Sequence, residues 1–188
     1  DYSSDDYIIH SDNDEIPNLE EFDLKKNKKK IVIFNQKLFY YKFNLALLDI
    51  DWFGSKACKI KDLKNIDLLR ATKNKKYPFY RIDTLFSDIR HQSIDLVFNG
   101  GWHFSNLKSI EELERKFLND ENHSEYEWQG HDVERIKQNI KNRSIDYNHN
   151  AKQDSSDRFS STKLQLADNN ILPNYLKQNL DKYKEWLD

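Results

Sequence analysis

An α/β or mixed α+β domain is predicted by three features of the sequence. Residues 31–44 are rich in β-branched and aromatic side chains, a short apolar strand near the start runs straight into acidic residues, and several later segments repeat apolar residues at helical spacing. A four-helix bundle does not accommodate 31–44. With 188 residues, one domain spanning 1–188 is expected. The 30 Lys+Arg nearly cancel 32 Asp+Glu, leaving a formal charge of -2, which excludes nucleic-acid binding by bulk charge. A single cysteine, Cys58, excludes an internal disulfide and any zinc site of two or more thiolates. No apolar run approaches the roughly 18–20 residues of a membrane span.

Taken in order, Tyr7-Ile8-Ile9-His10 reads as a short strand and 11–15 as an acidic loop at its carboxyl end. Pro17 suits a first helical turn, so a helix is expected from Pro17 to about Lys26, with the Lys25–Lys30 basic run at its C-terminus. Residues 31–44 form one long strand or a hairpin turning near Asn35-Gln36. Leu63, Ile66 and Leu69 place an amphipathic helix over about Lys61–Thr72. Residues 96–104 read as strand, Gly100-Gly101 bend, strand, since paired glycines permit angles and approaches that other residues resist. Ser109 with Glu112 forms a capping box ahead of Ile110, Leu113 and Phe117. Further helices are expected at about Asp132–Lys141 and, after Pro173, at Asn174–Leu187, while 148–162 is expected to be a mobile polar loop.

The sharpest chemical signal is Asp12-Asn13-Asp14-Glu15. If the extended backbone continues through it, the i and i+2 carboxylates of Asp12 and Asp14 share one face and invite a hard divalent cation, Mn²⁺ or Mg²⁺. A solvated acidic turn ahead of a helix explains the same residues. An EF-hand is excluded, because Pro17 stands where its glycine is required. His103 reads either as a metal or phosphate ligand or as a structural histidine beside Trp102. Trp52 and Trp102 are suited to stacking on sugar faces or to a core. Lys56, Arg70 and Arg81 are phosphate partners that no spacing rule separates. His123 and His131 match no usual metal spacing. A two-metal phosphodiesterase built on Asp12, Asp14 and Glu15 is opposed by the near-neutral charge.

Ser11-Asp12-Asn13-Asp14-Glu15-Ile16-Pro17-Asn18, Tyr40-Tyr41 with Asn44, Trp52 with Gly54, Gly100-Gly101-Trp102-His103-Phe104-Ser105, His123-Ser124-Glu125-Tyr126 and Leu172-Pro173-Asn174-Tyr175-Leu176 follow one another in an order that resembles glycosyltransferase family 17 over nearly the whole chain. That family includes the N-acetylglucosaminyltransferase that makes bisecting GlcNAc. The resemblance implies an inverting, metal-dependent enzyme of the GT-A type moving a sugar, GlcNAc by analogy, from a UDP-sugar to a hydroxyl of a glycan or glycoconjugate. It implies Asp12, Asp14 and His103 at the metal, and Gly100, Gly101, Trp102 and His103 at the nucleotide-sugar. Glu125 is the candidate base, with Glu15 and Asp51 as rivals. Such folds place a nucleotide-binding half before the acidic motif, so this chain is expected to be the C-terminal part of a mixed sheet flanked by helices and need not be active alone. A non-catalytic carbohydrate-binding domain is the alternative. Residues 147–166 show little that aligns, which leaves the acceptor open. The lone cysteine suits a bacterial or viral cytoplasm, whereas animal members of the family work in the Golgi lumen.

Overall fold

A computed structural model describes residues 2–119, 133–152 and 154–188. The protein is mixed α/β, and its chain gathers into two compact units, Asp1–Lys37 with Asp51–His103 and Leu38–Ile50 with Phe104–Asp188. Its strands are β1 (Tyr7–His10), β2 (Glu15–Pro17), β3 (Ile31–Tyr40), β4 (Leu45–Lys59), β5 (Ile94–Val97), β6 (Gly101–Ser105) and the short β7 (Ser144–Ile145), β8 (Thr162–Lys163) and β9 (Gln165–Leu166). Its α-helices are α1 (Ile66–Ala71), α2 (Ile110–Asn119), α3 (Val133–Lys141) and α4 (Asn174–Gln178). β3 and β4 are long enough that each supplies residues to both units.

In the first unit the strand order is β1-β4-β3-β6-β2, with β5 also on β3. The sheet is mixed: β5 runs parallel to β3, with Ile31 opposite Ile94, while β1 is antiparallel to β4 and β2 to β6. Every residue from Ile31 to Gln36 is buried, because both faces of the sheet are covered. On one face Ile31, Ile33, Cys58 and Ile94 pack with Leu69 of α1; on the other Val32, Phe34 and Ala57 pack with Phe22 and Leu24. Phe34 alone, fully buried, contributes about 1.5–3 kcal/mol of hydrophobic free energy. Asn65 starts α1 by accepting from the N–H groups of Asp67 and Leu68.

The expected helix from Pro17 to Lys26 is absent. Glu15–Pro17 instead forms edge strand β2, with Glu15 opposite His103 and Pro17 opposite Gly101, and only a 3₁₀ turn at Leu24–Lys26 is helical. Pro17 is tolerated there because the outer side of an edge strand needs no donor. Of the two readings of 31–44 the single long strand is the one found: β3 runs unbroken through Asn35-Gln36 to Tyr40, the chain turns at 41–44, and the return strand β4 is an element the sequence did not signal. The helix at 61–72 is shorter, preceded by a 3₁₀ turn at Ile60–Asp62.

In the second unit, Tyr41 takes φ 64 in the hairpin turn and its N–H donates to the Ser105 carbonyl at 3.2 Å. Phe39 stacks on Phe104 with centroids 5.1 Å apart, and Phe43 meets Phe104 and Tyr183 edge-on. The predicted capping box forms: Ser109 Oγ accepts from Glu112 N at 3.2 Å, and Ser109 N donates to Glu112 Oε2 at 3.0 Å. α2 packs on α3 and α3 on β7. The Asp146 carboxylate is buried under Arg135 and Asn139 of α3. Within 148–162 the chain folds back, Asn148 N donating to Arg158 O at 2.7 Å around a 3₁₀ turn at Ser156–Phe159. The expected terminal helix breaks after α4 into a 3₁₀ stretch, Leu180–Trp186, kinked at Tyr183. Among the described residues no helix is long and apolar enough to cross a membrane.

Candidate functional site

The acidic motif lies in the first unit, where the chain leaves β1 beside β4 and returns as β2 beside β6. The connecting residues therefore cross the intervening strands instead of extending β1. Asp12–Glu15 is a turn, closed by Glu15 N donating to the Asp12 carbonyl at 3.1 Å. The premise that Asp12 and Asp14 share one face of a strand is thus corrected, because i and i+2 alternation applies only to extended backbone. The two carboxylates part. Asp14 Oδ2 meets His103 Nε2 at 3.1 Å, and Asp12 Oδ1 stands 3.9 Å from Arg70 Nη2.

Glu15 holds the turn down. Its side chain is buried, Oε1 accepts from Trp52 Nε1 at 2.9 Å, and Oε2 takes the Asp12 N–H at 3.3 Å with Ser55 Oγ at 3.5 Å. Ser55 in turn accepts from Gln36 Nε2 at 2.9 Å and from Ser11 Oγ at 2.6 Å. Gly54 makes room for this layer: a Cβ there would lie 2.1 Å from Gln36 Oε1 and 2.4 Å from Glu15 Oε1. The Trp52 ring also meets the His103 ring edge-on at 4.6 Å, so one indole buttresses both the turn and the histidine. His103 is 7% exposed, and its Nδ1 is buried without a hydrogen-bond partner. Leaving such a group unpaired costs about 1–3 kcal/mol.

The glycines of the bend serve the chain's own packing. Gly100 N donates to the Asn35 carbonyl at 2.7 Å, and a Cβ on Gly101, at φ 143, would lie 2.1 Å from the Ile16 carbonyl. Trp102 stands in β6 opposite Ile16 and is half-buried. Of the expected bases, Glu15 is engaged by its donors, while Asp51 is exposed and accepts from Asn35 Nδ2 at 2.6 Å. Glu125 lies outside the described residues, as do His123 and His131.

A recess of about 170 Å³ opens beside the turn, lined by His10, Asp12, Glu15, Trp52, Lys56 and Arg70 among others. Lys56 Nζ donates to the Thr72 carbonyl at 2.8 Å and also to the Arg70 carbonyl. Burial pushes its amine below the usual lysine range, Glu15 opposes that shift, and Lys73 and Arg70 add to it. Arg81 is elsewhere engaged, its Nε and Nη2 on the two oxygens of Asp83 at 2.7 and 2.8 Å. Sequence reasoning did not single out Gln36 or Ser55; Gly54, isolated in a strand, was the available signal of a close approach.

Among the described residues no three His, Cys, Asp or Glu side chains converge to hold a metal unaided. Asp14 and His103 would offer a divalent ion one carboxylate and one imidazole, with substrate phosphates and water to complete its shell. No family model, curated protein or solved structure matches the chain.

Proposed function

We propose that this chain carries the catalytic site of an inverting, metal-dependent glycosyltransferase that moves a sugar, GlcNAc by family resemblance, from a UDP-sugar to a glycan hydroxyl. The observation that carries the reading is the meeting of Asp14 and His103 at 3.1 Å. These residues belong to the two motifs on which the resemblance to glycosyltransferase family 17 chiefly rests. A bound Mn²⁺ or Mg²⁺ supplies electrostatic stabilisation of a departing diphosphate. In the reaction the bond from the anomeric carbon to the diphosphate oxygen breaks and its electron pair leaves with the diphosphate. The acceptor oxygen forms the new bond from the opposite face, and a carboxylate takes its proton. Asp14 and His103 would hold the cation, and Glu15 with Trp52 keeps the turn and the His103 ring in place. Asp51, exposed at the start of the same stretch of β4, and Glu125 are the carboxylates proposed for the proton.

The test is UDP release from UDP-GlcNAc by the product of the complete gene, with Mn²⁺ or with EDTA, with and without a mixed glycan pool. Release that requires Mn²⁺ and falls at least about a hundredfold in Asp14→Asn is expected, since the variant loses a charged group acting on the transition state. A folded protein that binds glycans but releases no UDP from any UDP-sugar overturns the reading in favour of a binding domain.

A further inference from the structure

Three cations were equivalent phosphate partners in the sequence, and the structure separates them. Arg81 is closed off by its two-point contact with Asp83, whereas Lys56 and Arg70 share the recess that also contains Asp12. We propose that Lys56 and Arg70 form a subsite for the diphosphate group of a nucleotide, on the flank of the Asp12–Glu15 turn. The nature of the nucleotide rests on the transferase reading; the anion site does not.

The two cations bring complementary properties. Lys56 is fixed, because two of the three N–H donors of its ammonium are directed at the Arg70 and Thr72 carbonyls, at the C-terminal end of α1. Little side-chain freedom is left for an anion to remove. Arg70 is open: its side chain is 66% exposed, and the Asp12 carboxylate it faces stands at 3.9 Å, beyond hydrogen-bond reach. A guanidinium in that state can turn its planar fork onto a phosphate and bind it through two parallel N–H groups. Burial pushes the Lys56 amine down and Lys73 and Arg70 add to that, while Glu15 opposes it; an anion bound beside Lys56 would act in the same sense as Glu15 and favour the charged amine.

Size and the opposing charges narrow the ligand. At about 170 Å³ the recess is below the roughly 300 Å³ at which pockets begin to enclose whole small molecules, so it suits a phosphate-sized group whose remainder lies outside. Asp12 and Glu15 line the same recess and repel a bare anion. Glu15 is offset by its Trp52, Ser55 and Asp12 donors, but Asp12 is exposed. A diphosphate carrying a divalent ion relieves that repulsion, and binding is therefore expected to tighten when Mg²⁺ accompanies the anion.

The test is calorimetric titration of inorganic pyrophosphate, and separately of UDP, into the product of the complete gene, with and without Mg²⁺. Arg70→Ala is the primary variant because its exposed side chain can be removed without a cavity; thermal unfolding checks its fold. Loss of one charged two-point contact is expected to weaken pyrophosphate about tenfold and to reduce the salt dependence of binding, with Arg70→Lys recovering part of the affinity. Arg81→Ala is expected to bind as the parent does. Unchanged pyrophosphate affinity in a folded Arg70→Ala, or no pyrophosphate binding by the parent protein at millimolar concentration, overturns the subsite. UDP-sugar turnover with Arg70-independent pyrophosphate binding sinks the subsite alone. Arg70-dependent pyrophosphate binding without any UDP-sugar turnover leaves the subsite standing and removes the transferase reading.

Discussion

Replacing Gly54 by alanine should destabilise the protein by about 2–3 kcal/mol, and the components can be weighed against one another. The added methyl would lie 2.1 Å from Gln36 Oε1, 2.4 Å from Glu15 Oε1 and 2.5 Å from Glu15 Cδ. Each side chain must withdraw by about 1 Å or more to reach ordinary contact near 3.5 Å. Gln36 is 1% exposed and Glu15 9%, so neither can swing into solvent without dismantling the layer. Overpacking of this kind costs about 1–3 kcal/mol, and losing the hydrogen bond from Trp52 to the Glu15 carboxylate costs about 1.5–3 kcal/mol. These are not additive, since one movement relieves the clash by breaking the bond. Alanine also restricts the unfolded chain, which returns about 0.4–1 kcal/mol and sets the net value below the simple sum. For a chain of this length the change corresponds to a fall in Tm of about 4–12 °C. Urea unfolding followed by circular dichroism and by tryptophan fluorescence measures it. In a Glu15→Ala background, where Gln36 can move into the vacated space, Gly54→Ala should cost less than about 1 kcal/mol. A penalty under about 0.5 kcal/mol, or the same penalty in both backgrounds, would refute the account of Gly54 as the seat of the Glu15 layer.

Two further outcomes follow from other parts of the molecule. Ser109→Ala removes the N-cap of α2 and should cost about 1 kcal/mol of stability by urea titration; no measurable change would mean the capping box is ornamental. Asp5 is held at about 2 rather than 3.8 by hydrogen bonds from Lys61 and Lys59. Its folded value lies below its unfolded one, so its small contribution is present above pH 3.8 and is lost as pH falls through about 2. A carboxyl ¹³C titration should show that low midpoint in the folded protein, rising in Lys61→Ala; a midpoint at 3.8 in the parent would contradict the ion-pair geometry.

Local signals were legible before the structure, and contests between distant segments were not. The capping box at Ser109, strand β1 and the Gly100-Gly101 bend each depend on a few adjacent residues, and each appears where expected. Pro17 is compatible with a helix start and with an edge strand, and pairing with Gly101 decided between them. β4 escaped notice because Asp49, Asp51, Gly54 and Lys56 interrupt its apolar pattern. At the site, the acidic character of 12–15 was plain, but its turn was not, since the crossing from β1 to β2 depends on where β6 lies. The burial of Glu15 was hidden for the same reason, as its donors come from Trp52 and Ser55. Lys56 and Arg70 could be told from Arg81 only through the Asp83 contact and the shared recess.

The central strand β3 has one neighbour next to it in the chain and others that arrive much later. β4 follows through a tight turn, so the β3–β4 hairpin closes a short loop. The edge shared by β5 and β6 must wait for contacts such as that of Lys30 with Ser93, 63 residues apart. The pair formed by Asp14 and His103 spans 89 residues. Closing loops of that length costs entropy before any contact repays it, which predicts that the hairpin organises early and the chemical centre late in folding. Substitutions at Asp14 and His103 should then accelerate unfolding and leave the refolding rate nearly unchanged, with φ-values near zero, whereas substitutions in the hairpin should slow refolding. High φ-values at His103 would reverse that order. A centre that forms after the frame can lose its function through exchange of side chains while the frame still folds at its usual speed.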